Sequence, residues 1–160
     1  MNGAVFAAAF VQERRRAKEP ADTLVLPDWR IDDWRKLLAL TTVKPFRASE
    51  IVIQRGAQER ALYFVAEGNL EVGVTTFDGV SLSQLARIGP VSVIGEQSFF
   101  DGEPRSANVW GLSNGTLLRF ELAQFERFGA QEPHLSRDLI FAVSRVLSTR
   151  LRMTTIRVRR

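Results

Sequence analysis

The apolar positions of this 160-residue chain change their rhythm twice. Near the start they recur at helical spacing. Val5, Phe6, Ala9 and Phe10 share one side of a short helix within residues 1–18, and Pro20 stops it. Residues 19–27 read as a linker or extended arm. Asp32 is the expected N-cap of a second helix carrying Trp34, Leu37, Leu38 and Leu40, which Pro45 ends. The rhythm then shortens. Ile51–Gln54, Ala61–Glu67 and Leu70–Thr75 are rich in β-branched and aromatic residues, as strands are. Val80, Leu82, Ala86 and Ile88 alternate with mostly polar neighbours, as in a half-buried strand. Asp78-Gly79 and Asn114-Gly115 are hairpin signals, the second between Asn108–Leu112 and Thr116–Glu121. Many short strands joined by tight turns predict a mainly β protein with flanking helices, a jelly-roll or sandwich-like barrel.

From Leu122 the spacing is helical again. Phe125 and Phe128 lie three apart, and Gly129 is expected to break that helix. Ser136 is the expected N-cap of a long amphipathic helix running to Met153. Its stripe is Leu139, Ile140, Val143, Val146, Leu147 and Leu151. The stripe has two readings: burial against the chain's own barrel, or a parallel two-fold contact with a second copy.

Composition narrows the chemistry. With 45% hydrophobic and 25% charged residues, the chain is one globular domain with a real core. It has no cysteine, so disulfides and thiol chemistry are excluded. Its single histidine, His134, follows Pro133 and reads as a loop residue. Jelly-roll metal enzymes of the cupin kind need two or three histidines, so that class is not expected. The net charge of +4 sits at the ends. Residues 150–160 hold five arginines and no acid. Such a tail is either a solvated terminus or an attractor for nucleic acid, anionic lipid or an acidic partner. The apolar run Ala4–Val11 is eight residues, too short to span a membrane, and no basic residue precedes it as in a signal peptide. A cytoplasmic protein is expected.

The most informative stretch is Gly95-Glu96-Gln97-Ser98-Phe99-Phe100-Asp101-Gly102-Glu103-Pro104-Arg105-Ser106-Ala107. A Gly-Glu pair, a short apolar turn and a glycine-containing loop lead to Arg-Ser-Ala. This spacing can bring a carboxylate and a guanidinium to one small ligand carrying sugar hydroxyls and a phosphate. The carboxylate accepts from hydroxyls, and the guanidinium grips phosphate through a planar fork of donors. The turn after Glu96 also offers backbone N–H groups that suit an anion.

This stretch resembles the phosphate-binding cassette of the cyclic nucleotide-binding domain, the sensor module of the catabolite activator protein, of cyclic-nucleotide-dependent kinases and of some channels. The resemblance runs from about Leu37 to Thr155. Within it, Arg55–Val72 carries Gly56, Tyr63, Phe64, Val65 and Gly68 at the expected places, and Ile88–Glu96 resembles the approach to the cassette. Val91-Ser92 depart from the Gly-Asp or Gly-Glu often found there.

The resemblance implies a double-stranded β-helix (jelly-roll) barrel with N-terminal helices and a long C-terminal helix. The domain would be residues 29–160, with the barrel at about 45–122 and helices over 122–155, preceded by an arm over 1–28. It implies that Glu96 accepts from the ribose 2′-hydroxyl beside the Gly95 backbone, and that Arg105 pairs with the cyclic phosphate. Ser106 would donate its hydroxyl and backbone N–H to that phosphate. Gln97, Ser98 and Ala107 complete the cassette. Thr154 and Thr155 would face the purine, and Arg150 would approach Glu96, linking occupancy to helix position.

The implied function is a non-enzymatic second-messenger receptor of bacterial type. It would bind cyclic AMP, or cyclic GMP, and signal to a downstream protein by moving its helices. A homodimer through residues 136–153 is the expected assembly. Only Ile156–Arg160 follow the long helix, so sequence-specific DNA binding through a helix-turn-helix is not expected. The rival reading is a ligand-independent interaction module that keeps only the barrel.

Overall fold

A computed structural model describes residues 22–75 and 82–158. The expected helix within residues 1–18 and the Asp78-Gly79 turn lie outside the described residues. Helix α1 (Ile31–Leu38) leads into β1 (Thr42–Phe46), β2 (Ile51–Ile53), β3 (Ala61–Glu67), β4 (Leu70–Thr75), β5 (Leu82–Ile88) and β6 (Val93–Ile94). Helix α2 (Glu96–Asp101), β7 (Asn108–Gly111), β8 (Gly115–Glu121), α3 (Leu122–Gln131) and α4 (Pro133–Val158) follow. The strands form two antiparallel four-stranded sheets, ordered β1-β8-β3-β6 and β2-β7-β4-β5. This is the expected mainly β jelly roll with flanking helices.

Strand β3 explains why the layers stack as they do. Its residues are apolar at every position from Ala61 to Ala66, so both of its faces are buried. Ala61, Tyr63 and Val65 point between the sheets, with Ile94, Val109 and Leu117. Leu62, Phe64 and Ala66 point outward, with Phe120, against Trp34, Leu37, Phe128, Leu139 and Val143 of the helices. Burial of each large side chain contributes roughly 1.5–3 kcal/mol.

Several local expectations need correction. Asn114-Gly115 is not a hairpin turn: β7 pairs with β2 and β4, while β8 pairs with β1 and β3, so the chain crosses between sheets there. The glycine serves a close approach instead, because a Cβ on Gly115 would strike the Glu67 carbonyl and the Phe46 ring. Pro45 does not end a helix. It lies in β1 at the edge of its sheet, where its missing N–H costs no ladder bond.

Helix α1 starts after Arg30, not Asp32, and the Asp33 carboxylate accepts from the Arg30 backbone N–H at 2.9 Å. Helix α3 runs through Gly129 to Gln131. Helix α4 starts at Pro133, not after Ser136, since proline suits the first helical position. His134 therefore lies in the first turn of α4 and not in a loop.

The segment read as an arm belongs in part to the core. Leu24 and Leu26 are buried with Trp29 and Trp34, and Leu24 N–H donates to the Val91 carbonyl at 2.8 Å. Val91 itself has φ +66°, a region that costs a β-branched residue roughly 1–3 kcal/mol. Its N–H bond to the Val65 carbonyl and the bond from Leu24 hold it there. Among the described residues, no helix is long and apolar enough to cross a membrane.

Candidate functional site

Gly95 sets the local geometry. At φ +77° it turns the chain from β6 into α2, a conformation glycine adopts without steric cost. A Cβ there would run into the Arg105 guanidinium and lie 3.0 Å from the Ala61 carbonyl. Helix α2 buries Ser98 and Phe99 and ends at Gly102, also left-handed. Arg60, which no sequence motif marks, clamps this helix to β3. It donates from Nε to the Phe99 carbonyl at 2.9 Å and from Nη2 to the Phe100 carbonyl at 3.0 Å.

Arg105 is only 3% exposed. Its Nη1 donates to the Gly95 carbonyl at 2.9 Å, and Nη2 donates to the Ala61 carbonyl at 2.8 Å and to Glu59 at 3.1 Å. Its Nε is buried without a partner. A guanidinium has five N–H donors, so this one is fixed from behind with donor capacity unspent. Glu59 is shared further: it accepts from Arg119 at 2.9 Å and from Tyr63 at 2.8 Å. Tyr63 is a core residue, packed between the sheets. Burial, followed by its bond to Glu59, pushes the Tyr63 hydroxyl up to about 12.

Burial alone would raise the Glu59 carboxyl, but the bonds from Tyr63, Arg119 and Arg105 together outweigh it and hold the group below its usual value of 4.5. A carboxylate depressed in the fold stabilises above its unfolded pKa, and that contribution is lost as pH falls through the folded pKa. Below about pH 4.5, wild-type melting temperature should therefore fall more steeply with pH than that of Glu59→Gln. Thermal scans from pH 6 to 3 check this; parallel curves would contradict it.

The second half of the site comes from α4. Leu139, Val143 and Val146 bury one face of that helix against the core. Arg150, four residues beyond Val146, continues the same face past the core and onto the cassette. Its Nη1 donates to Glu96 Oε1 at 2.7 Å, and Nη2 donates to the Val93 carbonyl at 2.9 Å and to Ser92 Oγ at 3.1 Å. Asp22 Oδ2 accepts from Arg150 Nε at 3.3 Å and Nη2 at 3.2 Å. Glu96, at 6% exposure, keeps Oε2 without a donor from any described residue.

Between these groups lies a cavity of about 400 Å³, of a size that suits a small organic ligand. Gly95, Glu96, Gln97, Ser98, Arg105, Ser106, Ala107, Arg150 and Thr154 all border it. Ser106 Oγ donates to Gln97 Oε1 at 2.7 Å, and Thr154 Oγ1 donates to the Arg150 carbonyl at 3.0 Å. Thr155 does not border it. One residue advances a helix by about 100°, which turns Thr155 to the side of Ser148, Leu151 and Ile156. Sequence reasoning did not single out Asp22, Arg87 or Met153, which also border the cavity, nor Glu59 behind it.

The expected stripe on α4 is divided in the same way. Leu139, Val143 and Val146 are buried, whereas Ile140 and Leu151 are exposed.

The model of the cyclic nucleotide-binding domain family matches residues 43–132, over half of the chain. The chain belongs to this family. Domains of the family are typically regulatory rather than catalytic. The chain is 28% identical over 140 residues to glutaminase 1 of Bradyrhizobium diazoefficiens, covering 88% of this chain and 22% of that protein. It is 28% identical over 109 residues to a CRP-like cAMP-activated global transcriptional regulator of Mycobacterium tuberculosis, covering 68% and 46%. The chain thus spans less than half the length of these curated relatives. A solved cyclic nucleotide-binding domain from Methylobacillus flagellatus KT superposes with a TM-score of 0.82 at 16% identity, covering 98% of this chain and 84% of that one. At that identity the likeness shows the fold.

Proposed function

We propose that this chain is a cyclic-nucleotide receptor whose ligand is cyclic AMP, with cyclic GMP as the alternative. The observation that carries the reading is Arg105. It is a fully buried cation on a cavity wall, braced from behind by Glu59 and two carbonyls, with Nε unpartnered. A charged group with a free donor in a shielded site is costly unless an anion meets it. A cyclic phosphate carries one negative charge, and its free oxygens can accept from the donors that Arg105 leaves unspent. Ser106 stands beside it to donate to the same phosphate. Across the cavity, the open oxygen of Glu96 can accept from a ribose 2′-hydroxyl. Thr154 stands at the helix side for the purine. The mycobacterial relative is described as cAMP-activated, which supports cyclic AMP for this chain too.

Signalling would run through Arg150. It joins Glu96 to the end of α4, so a ligand that engages Glu96 acts on the helix directly. A downstream protein, reached in the cytoplasm, would read the helix position. The outward side of α4 exposes Phe141 at 69% and Leu151 at 68%, with Ile156 beyond them. We assign this side to contact with a second copy of the chain.

Thermal unfolding with ligand tests the reading. At about 100 times its dissociation constant, a ligand bound only to the folded state adds about 2.7 kcal/mol. Cyclic AMP should raise the melting temperature by several degrees, and 5′-AMP, which carries the same base on an open phosphate, should not. Equal shifts with both, or none with either cyclic nucleotide, would contradict the proposal.

A further inference from the structure

We propose that Asp22 is a positioning residue for Glu96, acting through Arg150. The inference rests on the reading of the cavity as a cyclic-nucleotide site and adds a residue from outside the cassette to it. A guanidinium facing a lone carboxylate favours a bidentate grip that occupies both oxygens. Here that grip is prevented. Asp22 Oδ2 takes Nε at 3.3 Å and Nη2 at 3.2 Å, and Ser92 Oγ and the Val93 carbonyl also accept from Nη2. Only Nη1 remains for Glu96, and it reaches Oε1 alone. Asp22 thus fixes the plane of the guanidinium so that Oε2 stays open for a ligand hydroxyl.

The placement of Asp22 is itself secured. Its backbone carbonyl accepts from Ser92 Oγ at 2.9 Å, and two residues on, Leu24 donates to Val91. Leu24 and Leu26 then bury in the helical core. Val91-Ser92, where the sequence departs from the pattern it otherwise resembles, are thus the seat on which this segment docks. Ser92 does two things at once: it donates to Asp22 and accepts from Arg150.

The test compares cyclic AMP with 2′-deoxy-cyclic AMP by calorimetry, on wild type and Asp22→Asn. One hydrogen bond to a carboxylate corresponds to about a tenfold or greater preference of the wild type for the hydroxylated ligand. Asp22→Asn removes the charged acceptor that holds Nε and Nη2, so Nη2 can exchange its neutral acceptors, Ser92 and the Val93 carbonyl, for the second oxygen of Glu96. Cyclic AMP should then lose that preference, about tenfold or more, while the deoxy ligand changes little, so the ratio falls to near one. Equal losses for both ligands, or an unchanged ratio, would overturn the proposal and leave Asp22 a purely structural residue. A wild type that binds both ligands equally also overturns it, because Glu96 would then read no hydroxyl. A wild type that binds neither overturns the receptor reading itself. Should Asp22→Asn fail to fold, Ser92→Ala loosens the same seat and should lower the ratio in the same sense; an unchanged ratio there counts against the proposal.

Discussion

Replacing Arg105 by alanine should weaken cyclic-nucleotide binding by about two to four orders of magnitude. Each hydrogen bond between charged partners contributes about 1.5–3 kcal/mol, and 1.4 kcal/mol is a factor of ten in affinity. Two such bonds from the guanidinium to the phosphate give the expected loss. Among the described residues the site offers no substitute: of the cations bordering the cavity, Arg150 is engaged by Glu96 and Asp22, and Arg87 faces Glu71 from an exposed position. Arg105→Lys should not recover more than a small part of the affinity. Lysine keeps the charge, but its single ammonium cannot serve the Gly95 and Ala61 carbonyls, Glu59 and a phosphate together. Titration calorimetry on the two variants measures this, and near-wild-type binding by either would contradict the role given to Arg105.

The second large effect is expected at Gly95. Gly95→Ala forces a Cβ into the left-handed region at φ +77°, at a cost of roughly 1–2 kcal/mol. The new methyl group also collides with the Arg105 guanidinium. That guanidinium has no room to retreat, because Glu59 and the Ala61 carbonyl hold its far side. Either the turn into α2 deforms or Arg105 leaves its seat, and both outcomes spoil the phosphate subsite. The variant should melt several degrees below wild type and lose binding to an extent that approaches Arg105→Ala. Thermal scans with a parallel titration check both; wild-type values for both would mean that the turn is not coupled to the arginine.

Where the local pattern determines structure, the sequence was legible. The β-branched and aromatic runs of β3 and β4, the strand that carries Leu82, Ala86 and Ile88, and the glycine and acid that lead into the short apolar turn all stand where they were expected. The cassette residues and Arg150 converge on one cavity because a barrel strand and a buried helix face carry them there. What was not legible depends on distance or on phase. Asn114-Gly115 marks a reversal, and nothing local says that the strands beside it belong to different sheets. Pro45 reads as a helix stop because an edge strand that tolerates it has no signature of its own. Asp22 lies in a segment that reads as a linker, and its partner is 128 residues away. Glu59 and Arg60 look like ordinary surface charges until β3 places one behind Arg105 and the other on α2. Thr154 and Thr155 are equivalent as letters, and only the buried face fixed by Val143, Val146 and Arg150 separates them.

The central claim is that Glu96, Arg105 and Ser106 hold the sugar and phosphate of a cyclic nucleotide. A calorimetric titration of the wild-type chain with cyclic AMP and cyclic GMP, beside Arg105→Ala under the same conditions, tests it most directly. The account predicts saturable one-to-one binding of at least one of the two nucleotides by wild type, weakened about a hundredfold or more in the variant. Absence of binding of both nucleotides to wild type, or equal binding by wild type and Arg105→Ala, would contradict it.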